Sequence, residues 1–169
     1  CGIGTEMGDL DGDGYDDYAI GCNGYSSFDG LVSVFFGEAR PSSSTNAYSA
    51  DLFILGPYGW GVGVGSSIAF GDLNGDGFED AILGDHDASY HQFYGGLVSV
   101  YAGGDGIYTD DPSTPVSPVQ TLGGHEEAAQ FGRSIALGDF DGDGETDLAV
   151  GSPEGANYYG YINVFSGLV

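Results

Sequence analysis

The sequence predicts an all-β protein built from repeated antiparallel sheets, and three observations support this. An Asp- and Gly-rich segment occurs three times, as GDLDGDGYDD from Gly8, GDLNGDGFED from Gly71 and GDFDGDGETD from Gly138. Short runs of β-branched and aromatic residues bounded by glycines follow each copy, and such runs are typical of strands. Apolar residues nowhere recur at 3.6-residue spacing over a length that would favour a helix.

Each repeat contains the same predicted strands in the same order. The first strands lie within residues 1–7, 64–70 and 131–137, the second at 18–21, 81–84 and 148–151, and the third at 30–37, 96–103 and 160–167. A weaker fourth strand is expected at 51–55 and at 118–122, and none is predicted in the third repeat. The acidic segment should therefore join the first and second strands of each repeat.

These strands predict three four-stranded meanders, the third lacking its outer strand. Their apolar residues lie on both faces, so each sheet should be covered on both sides, as stacked propeller blades are. We expect a single region, 1–169, with blades at about 1–56, 64–123 and 131–169. Three blades cannot close a ring, so the predicted architecture is an incomplete propeller. Residues 38–50 and 104–117 are predicted to be surface loops.

The charge of the chain is strongly acidic and unevenly distributed. Twenty-six acidic residues stand against two basic ones, which gives a formal net charge of −24 and argues against a nucleic-acid partner. No apolar stretch approaches the roughly 18–20 residues of a membrane span. Fourteen of the acids fall within residues 9–17, 72–80 and 139–147. Carboxylates this close repel one another unless a cation neutralises them, so the clustering indicates metal binding.

The spacing within the acidic segments matches what Ca²⁺ requires, namely several hard oxygen ligands gathered by a short loop. Counted from the first aspartate, side-chain oxygens are expected from positions one, three, five and nine, and a backbone carbonyl from position seven. Glycine at position six allows the sharp turn. The predicted ligands are Asp9, Asp11, Asp13, Tyr15 and Asp17 in the first loop, Asp72, Asn74, Asp76, Phe78 and Asp80 in the second, and Asp139, Asp141, Asp143, Glu145 and Asp147 in the third. We therefore expect three Ca²⁺ sites.

Three alternatives to calcium loops are less favoured. An EF-hand opens with a similar loop, but it needs a helix on each side and a glutamate at position twelve, where this chain has Ile20, Leu83 and Val150. Magnesium demands tighter octahedral geometry and keeps its waters, so calcium is favoured. A polar turn that binds nothing would leave the clustered carboxylates without a counter-charge.

The repeated pattern resembles the FG-GAP repeat of integrin α-subunit propellers. Its parts here include Phe131-Gly132-Arg133-Ser134-Ile135-Ala136, the acidic segment after it, and the glycine-led strand. The resemblance implies a β-propeller with one blade per repeat, calcium loops at one rim, and an extracellular or cell-surface setting. The chain departs from that pattern in having fewer than three complete blades, and in having Cys1-Gly2 where the third repeat has Phe131-Gly132.

Cys1 and Cys22 are expected on the first and second strands of the same hairpin. An extracellular compartment would permit a disulfide between them. Two free thiols are the alternative.

We expect a calcium-binding structural or adhesive segment of a larger extracellular protein or assembly, not an enzyme. Its partners would be other repeats or chains that complete the propeller, including a strand donated to the third blade. One alternative is an accessory region of a larger secreted enzyme. Another is glycan binding through loop aromatics such as Tyr90, Phe93 and Tyr94.

Overall fold

The computed structural model describes residues 1–22, 30–37, 49–55, 63–89, 93–104 and 116–168. Within these ranges eleven strands form three antiparallel sheets of four, four and three strands, so the all-β prediction with an incomplete third blade is confirmed. The first sheet contains β1 (Thr5–Gly8), β2 (Asp17–Cys22), β3 (Leu31–Phe35) and β4 (Leu52–Leu55). The second contains β5 (Ser67–Gly71), β6 (Asp80–Asp85), β7 (Leu97–Tyr101) and β8 (Gln120–Gly123). The third contains β9 (Ser134–Gly138), β10 (Asp147–Ser152) and β11 (Tyr161–Phe165).

Strands that follow one another in sequence are neighbours in every sheet. The first strands begin later than the sequence predicts, because a glycine with positive φ interrupts the extended backbone just before each of them. These glycines are Gly2, Gly65 and Gly132, with φ of 93°, 80° and 87°. An L-residue rarely adopts this conformation, whereas glycine does so freely.

The three sheets stack face to face with their first strands adjacent, since β1 contacts β5 and β5 contacts β9. Two apolar cores fill the spaces between them. The core between the first and second sheets includes Val32, Val34, Ile68, Leu83 and Tyr101. The core between the second and third includes Ile82, Val98, Val100, Phe131, Leu148 and Val150. All five residues of β7 are buried, as expected for the third strand of a sheet covered on both faces.

A single short helical turn, α1 (Gly155–Tyr158), joins β10 to β11. Ala156 and Asn157 within it have positive φ, 52° and 56°, so it is a left-handed turn and not a segment of ordinary α-helix. The predicted surface loops at 38–50 and 104–117 lie largely outside the described residues, as does Tyr90. In the part of the chain that the structure describes, no helix has the length and apolar character needed to cross a bilayer.

Candidate cation-binding loops

Each acidic segment forms the turn between the first and second strands of its sheet, as predicted. Because the first strands lie side by side, the turns stand at the same end of the stack. The backbone N–H of Gly104, which follows β7 in the second sheet, donates to the carbonyl of Leu10 in the first loop at 2.8 Å. The first loop is therefore tied directly to the neighbouring sheet.

The first aspartate of each loop organises the turn by accepting hydrogen bonds from its backbone. Asp9 Oδ1 accepts from Gly12 N at 2.8 Å, and Asp9 Oδ2 accepts from Gly14 N at 3.0 Å. Asp72 and Asp139 make the corresponding bonds in the other two loops. The glycines at position six, Gly14, Gly77 and Gly144, all have φ of 90–93°. The sharp turn that the sequence predicts at the glycine of position six is therefore present in all three loops.

The ninth-position aspartates are buried and point back under the loop. Asp17 Oδ2 accepts from Leu10 N at 2.8 Å, while Asp17 Oδ1 accepts from Gly37 N, just beyond β3, at 2.7 Å. Asp80 repeats this arrangement with Leu73 and Gly103. Burial raises the pKa of both carboxyls, and the negative charge of Asp11 raises the pKa of Asp17 further.

The turns bring three carboxylates together in the first and third loops. Asp9, Asp11 and Asp17 each offer an oxygen within 4.8 Å of the others, and Asp139, Asp141 and Asp147 do the same. These are positions one, three and nine of the predicted ligand set. The fifth-position carboxylates stand outside these two groups, and Asp13 Oδ1 instead accepts from Tyr15 N at 2.8 Å. The side chains at position seven, Tyr15, Phe78 and Glu145, are exposed.

The second loop differs at position three, where asparagine replaces aspartate. The Asn74 amide donates to Asp76 Oδ2 at 3.0 Å and to Asp80 Oδ1 at 3.4 Å. An amide donor thus partly offsets the carboxylate charge that the other two loops leave concentrated.

Asp147 differs from Asp17 and Asp80 in the hydrogen bonds of its side chain. Its side chain is 1% exposed, and its Oδ2 accepts from Phe140 N at 2.7 Å. Its Oδ1 is buried and has no hydrogen-bond partner among the described residues. Burying a polar oxygen without a partner costs free energy, and more for a charged group. The equivalent oxygens of Asp17 and Asp80 accept from backbone N–H groups beyond the third strands, so among the described residues Asp147 lacks that hydrogen bond. The group of Asp139, Asp141 and Asp147 offers only carboxylate oxygens, and this donor set fits a hard divalent ion.

Glu79, at position eight of the second loop, is a candidate site residue that the ligand spacing does not predict. It lies against Gly8 of the first sheet, and its Oε2 is buried without a hydrogen-bond partner in the part of the chain that the structure describes. Burial raises its pKa, and the charge of Asp9 raises it further. Position eight holds Asp16, Glu79 and Thr146 in the three loops, so no repeated pattern could have identified it.

The remaining predicted residues lie away from the loops. The sulfur atoms of Cys1 and Cys22 are 2.03 Å apart in a disulfide. Cys22 ends β2, but Cys1 lies ahead of β1 and not on it. Phe93 and Tyr94 are exposed and pack edge to face, with ring centroids 4.3 Å apart. Glycan binding by these aromatics stays a prediction.

Known proteins contain the same repeat. Residues 131–165, which include β9, the third acidic loop, β10 and β11, match the FG-GAP repeat family. Integrin alpha pat-2 of Caenorhabditis briggsae is 29% identical over 93% of this chain, and integrin alpha ina-1 of Caenorhabditis elegans is 33% identical over 79%. Phosphatidylinositol-glycan-specific phospholipase D of Bos taurus is 28% identical over 81%.

The alignments take in 14%, 12% and 17% of these three relatives, so the chain spans less than a fifth of the length of each. The family match falls on the third sheet, and the integrin similarity extends over most of the chain. The chain therefore contains an FG-GAP repeat at residues 131–165 and is similar to integrin α-subunits over most of its length.

Proposed function

We propose that the chain is a calcium-binding structural segment of an extracellular β-propeller, with one Ca²⁺ in each of its three acidic loops. The observation that carries this proposal is the grouping of the carboxylates at positions one, three and nine, which the third loop forms with Asp139, Asp141 and Asp147. The same positions gather Asp9, Asp11 and Asp17 in the first loop.

The ligand chemistry favours calcium over other ions. The loops offer carboxylate oxygens and backbone carbonyls and no thiolate, and hard oxygen donors suit Ca²⁺ and Mg²⁺. A glycine-rich turn with several carboxylates tolerates the larger and more variable coordination shell of Ca²⁺. Asn74 supplies an amide oxygen in the second loop, so we expect that site to be the weakest because its ligands carry less negative charge.

The position of the loops supports a structural role for the ions. Each loop connects two strands of one sheet, and the first loop also contacts the second sheet through Leu10 and Gly104. A cation that neutralises the clustered acids would remove repulsion where sheets meet, so folding stability should depend on calcium. This role requires no catalytic group.

The extracellular setting and the adhesive role are inferred from similarity and chemistry together. The integrin relatives, the oxygen-rich loops suited to calcium, and the Cys1–Cys22 disulfide all favour an oxidising, calcium-rich compartment. Other repeats or chains would complete the propeller beside the third sheet.

A second candidate function is favoured by one observation. The similarity to a phospholipase D covers 81% of this chain, so the segment would also suit an accessory region of a larger secreted enzyme. Calcium would then stabilise the accessory region, and the catalytic groups would lie outside it. The two candidates differ in whether the natural full-length protein hydrolyses a phosphodiester.

Isothermal titration calorimetry on the chelator-treated chain tests the proposal. We expect three Ca²⁺ per chain for the wild type and two for Asp141→Asn, with little heat from Mg²⁺ at the same concentrations. Asp16→Asn is the matched control, because it removes the same charge from an exposed position that is not a predicted ligand, and it should keep three ions. Fewer than one ion per chain in the wild type, or equal losses in both variants, would overturn the proposal.

A further inference from the structure

The second acidic loop differs from the other two at position three, and this difference changes its chemistry. The position holds Asp11 in the first loop and Asp141 in the third, but Asn74 in the second. In every loop the next residue is a glycine, with φ between 73° and 84°. The Asn74–Gly75 step is therefore the one asparagine–glycine step in the three loops.

An asparagine that precedes glycine can convert itself to an acid without an enzyme. The backbone nitrogen of the glycine attacks the side-chain carbonyl carbon, a five-membered succinimide ring closes, and the amide group leaves as ammonia with the proton of that nitrogen. Water then opens the ring at one of its two carbonyl groups. Opening at the side-chain carbonyl gives aspartate, and opening at the backbone carbonyl gives isoaspartate. Glycine favours the attack because no side chain stands beside its nitrogen.

The attacking nitrogen is accessible in this fold and already faces a proton acceptor. Gly75 is exposed, and a Cβ placed on it would meet no described atom within 4 Å. Its N–H donates to Asp72 Oδ1 at 2.7 Å. This carboxylate is within reach of the proton that the nitrogen must lose during the attack.

The attacked amide of Asn74 is held by Asp76 on both sides. Asn74 Oδ1 accepts from the backbone N–H of Asp76 at 2.8 Å, and Asn74 Nδ2 donates to Asp76 Oδ2 at 3.0 Å. The side-chain oxygen gains negative charge when its carbon is attacked. The N–H group at that oxygen would stabilise this charge, as the donors of an oxyanion hole do. The loop therefore supplies both a proton acceptor at the nucleophile and a donor at the developing oxyanion.

The same turn with aspartate at position three does not favour this reaction. Asp11 Oδ1 accepts from the N–H of Asp13 at 2.9 Å, as Asn74 Oδ1 accepts from Asp76. However, the negative charge of an ionised carboxylate opposes attack by the nitrogen, and the group has no ammonia to release. The other asparagine–glycine step of the chain, Asn23–Gly24, lies outside the described residues.

Conversion to aspartate would change what holds the second loop together. Asn74 Nδ2 donates to both Asp76 and Asp80, so the loop has an internal donor for its carboxylates. Aspartate at position 74 has no such donor. It would give the loop carboxylates at positions one, three and nine, the set that groups in the first and third loops. These charges would repel one another without a cation and would bind one more tightly.

We propose that Asn74–Gly75 is a site of spontaneous deamidation, and that the aspartate product turns the second loop from a turn held by hydrogen bonds into one that depends on calcium. The isoaspartate product adds a carbon atom to the main chain, so it would displace the ligands that follow. The dependence on calcium rests on the proposed function. The modification itself does not, since it needs only this chain and water.

Mass spectrometry of the folded chain, kept at neutral pH in chelator, tests the modification. A protease that cleaves before aspartate releases residues 72–75 as one peptide, because Asp72 begins it and Asp76 follows it. We expect this peptide to gain the mass of an amide-to-acid conversion. The aspartate product is cut once more, before position 74, whereas the isoaspartate product is not.

Gly75→Ala is the matched control for the attack by the backbone nitrogen. Its methyl group stands beside that nitrogen, so conversion should slow by roughly tenfold. Circular dichroism shows that the variant keeps the fold. An unchanged 72–75 peptide in the folded chain, under conditions in which the same chain converts in urea, would overturn the inference. Equal rates for Gly75→Ala and wild type would do the same.

Calcium titration of Asn74→Asp tests the consequence, since this variant reproduces the aspartate product without isoaspartate. Its second loop should bind calcium about tenfold more tightly than that of wild type, and its stability in chelator should fall. Asn157→Asp adds the same charge at an exposed residue between β10 and β11 and should change neither. Equal affinities for Asn74→Asp and wild type would overturn the calcium dependence. A mass gain in residues 72–75 would still establish the modification, so the two failures are distinguishable.

Discussion

The Phe78 ring of the second acidic loop lies directly over Gly12 of the first. A Cβ placed on Gly12 would overlap the ring edge, and Gly12 has φ of 80°. The ring also lies against Gly104, so it fills a space that two glycines leave between the sheets. Two loops that are 63 residues apart in sequence are thus in contact through an exposed aromatic residue.

This contact predicts that Gly12→Ala destabilises the protein by about 2–3 kcal/mol, since it adds a clash to the cost of a positive φ. Gly75→Ala is the matched control, because Gly75 has φ of 73° but its added Cβ would meet no atom within 4 Å, and it should cost about 1 kcal/mol. Urea unfolding in calcium measures both. Equal costs would show that the Phe78 ring moves aside freely.

The buried Oδ1 of Asp147, unpartnered among the described residues, predicts a difference between two equivalent aspartates. Both oxygens of Asp17 accept backbone hydrogen bonds, so Asp17→Asn points an amide at an N–H group and should cost about 1–3 kcal/mol even in chelator. In Asp147→Asn the amide can take the unpartnered side, so we expect little cost in chelator and a loss of stability only in calcium. Thermal unfolding with and without calcium measures this. A large loss for Asp147→Asn in chelator would contradict it.

Asp85 predicts a dependence of stability on pH. It is 2% exposed, and burial raises its pKa from 3.8 to about 6, with the Asp87 charge also raising it. The folded state therefore holds this proton more tightly than the unfolded state. The protonated Asp85 carboxyl therefore contributes its full stabilisation of the fold below about pH 4. This contribution is lost as pH rises through 6, and its upper limit is about 3 kcal/mol.

Comparing unfolding free energies of Asp85→Asn and wild type from pH 4 to 7 measures this contribution. The variant should gain about 2–3 kcal/mol relative to wild type over that interval. Asp87→Asn removes the same charge two residues away and should keep most of the wild-type slope. If the unfolding free energies of wild type and Asp85→Asn changed in parallel with pH, Asp85 would have the same pKa in the folded and the unfolded state.

Because Cys1 and Cys22 form a disulfide, the stability of the fold should depend on redox conditions. Cys1 and Cys22 are 21 residues apart, and a loop of this size stabilises a fold by about 3 kcal/mol. Cys1→Ser should therefore lower the melting temperature by the same amount as reductant lowers that of wild type. Reductant should not change the melting temperature of Cys1→Ser, because this variant has no disulfide. The variant is therefore the control for other effects of the reductant. An unchanged melting temperature would show that the link adds nothing to stability.

Most of the local structure of this protein could be predicted from the amino-acid sequence. The repeated acidic segments, the glycine-bounded strands and the missing fourth strand of the third repeat were all predicted, because alternation, turn glycines and β-branched runs act over a few residues. The start of β1, β5 and β9 was not, since it depends on the positive φ of Gly2, Gly65 and Gly132.

Contacts between residues that are distant in the chain make equivalent residues of the three repeats differ. Asp17 and Asp80 find donors in Gly37 and Gly103 beyond the third strands, while the same oxygen of Asp147 finds none among the described residues. Glu79 becomes buried because the first sheet lies beside it. Such differences arise from contacts between residues far apart in the chain, which no local sequence pattern records.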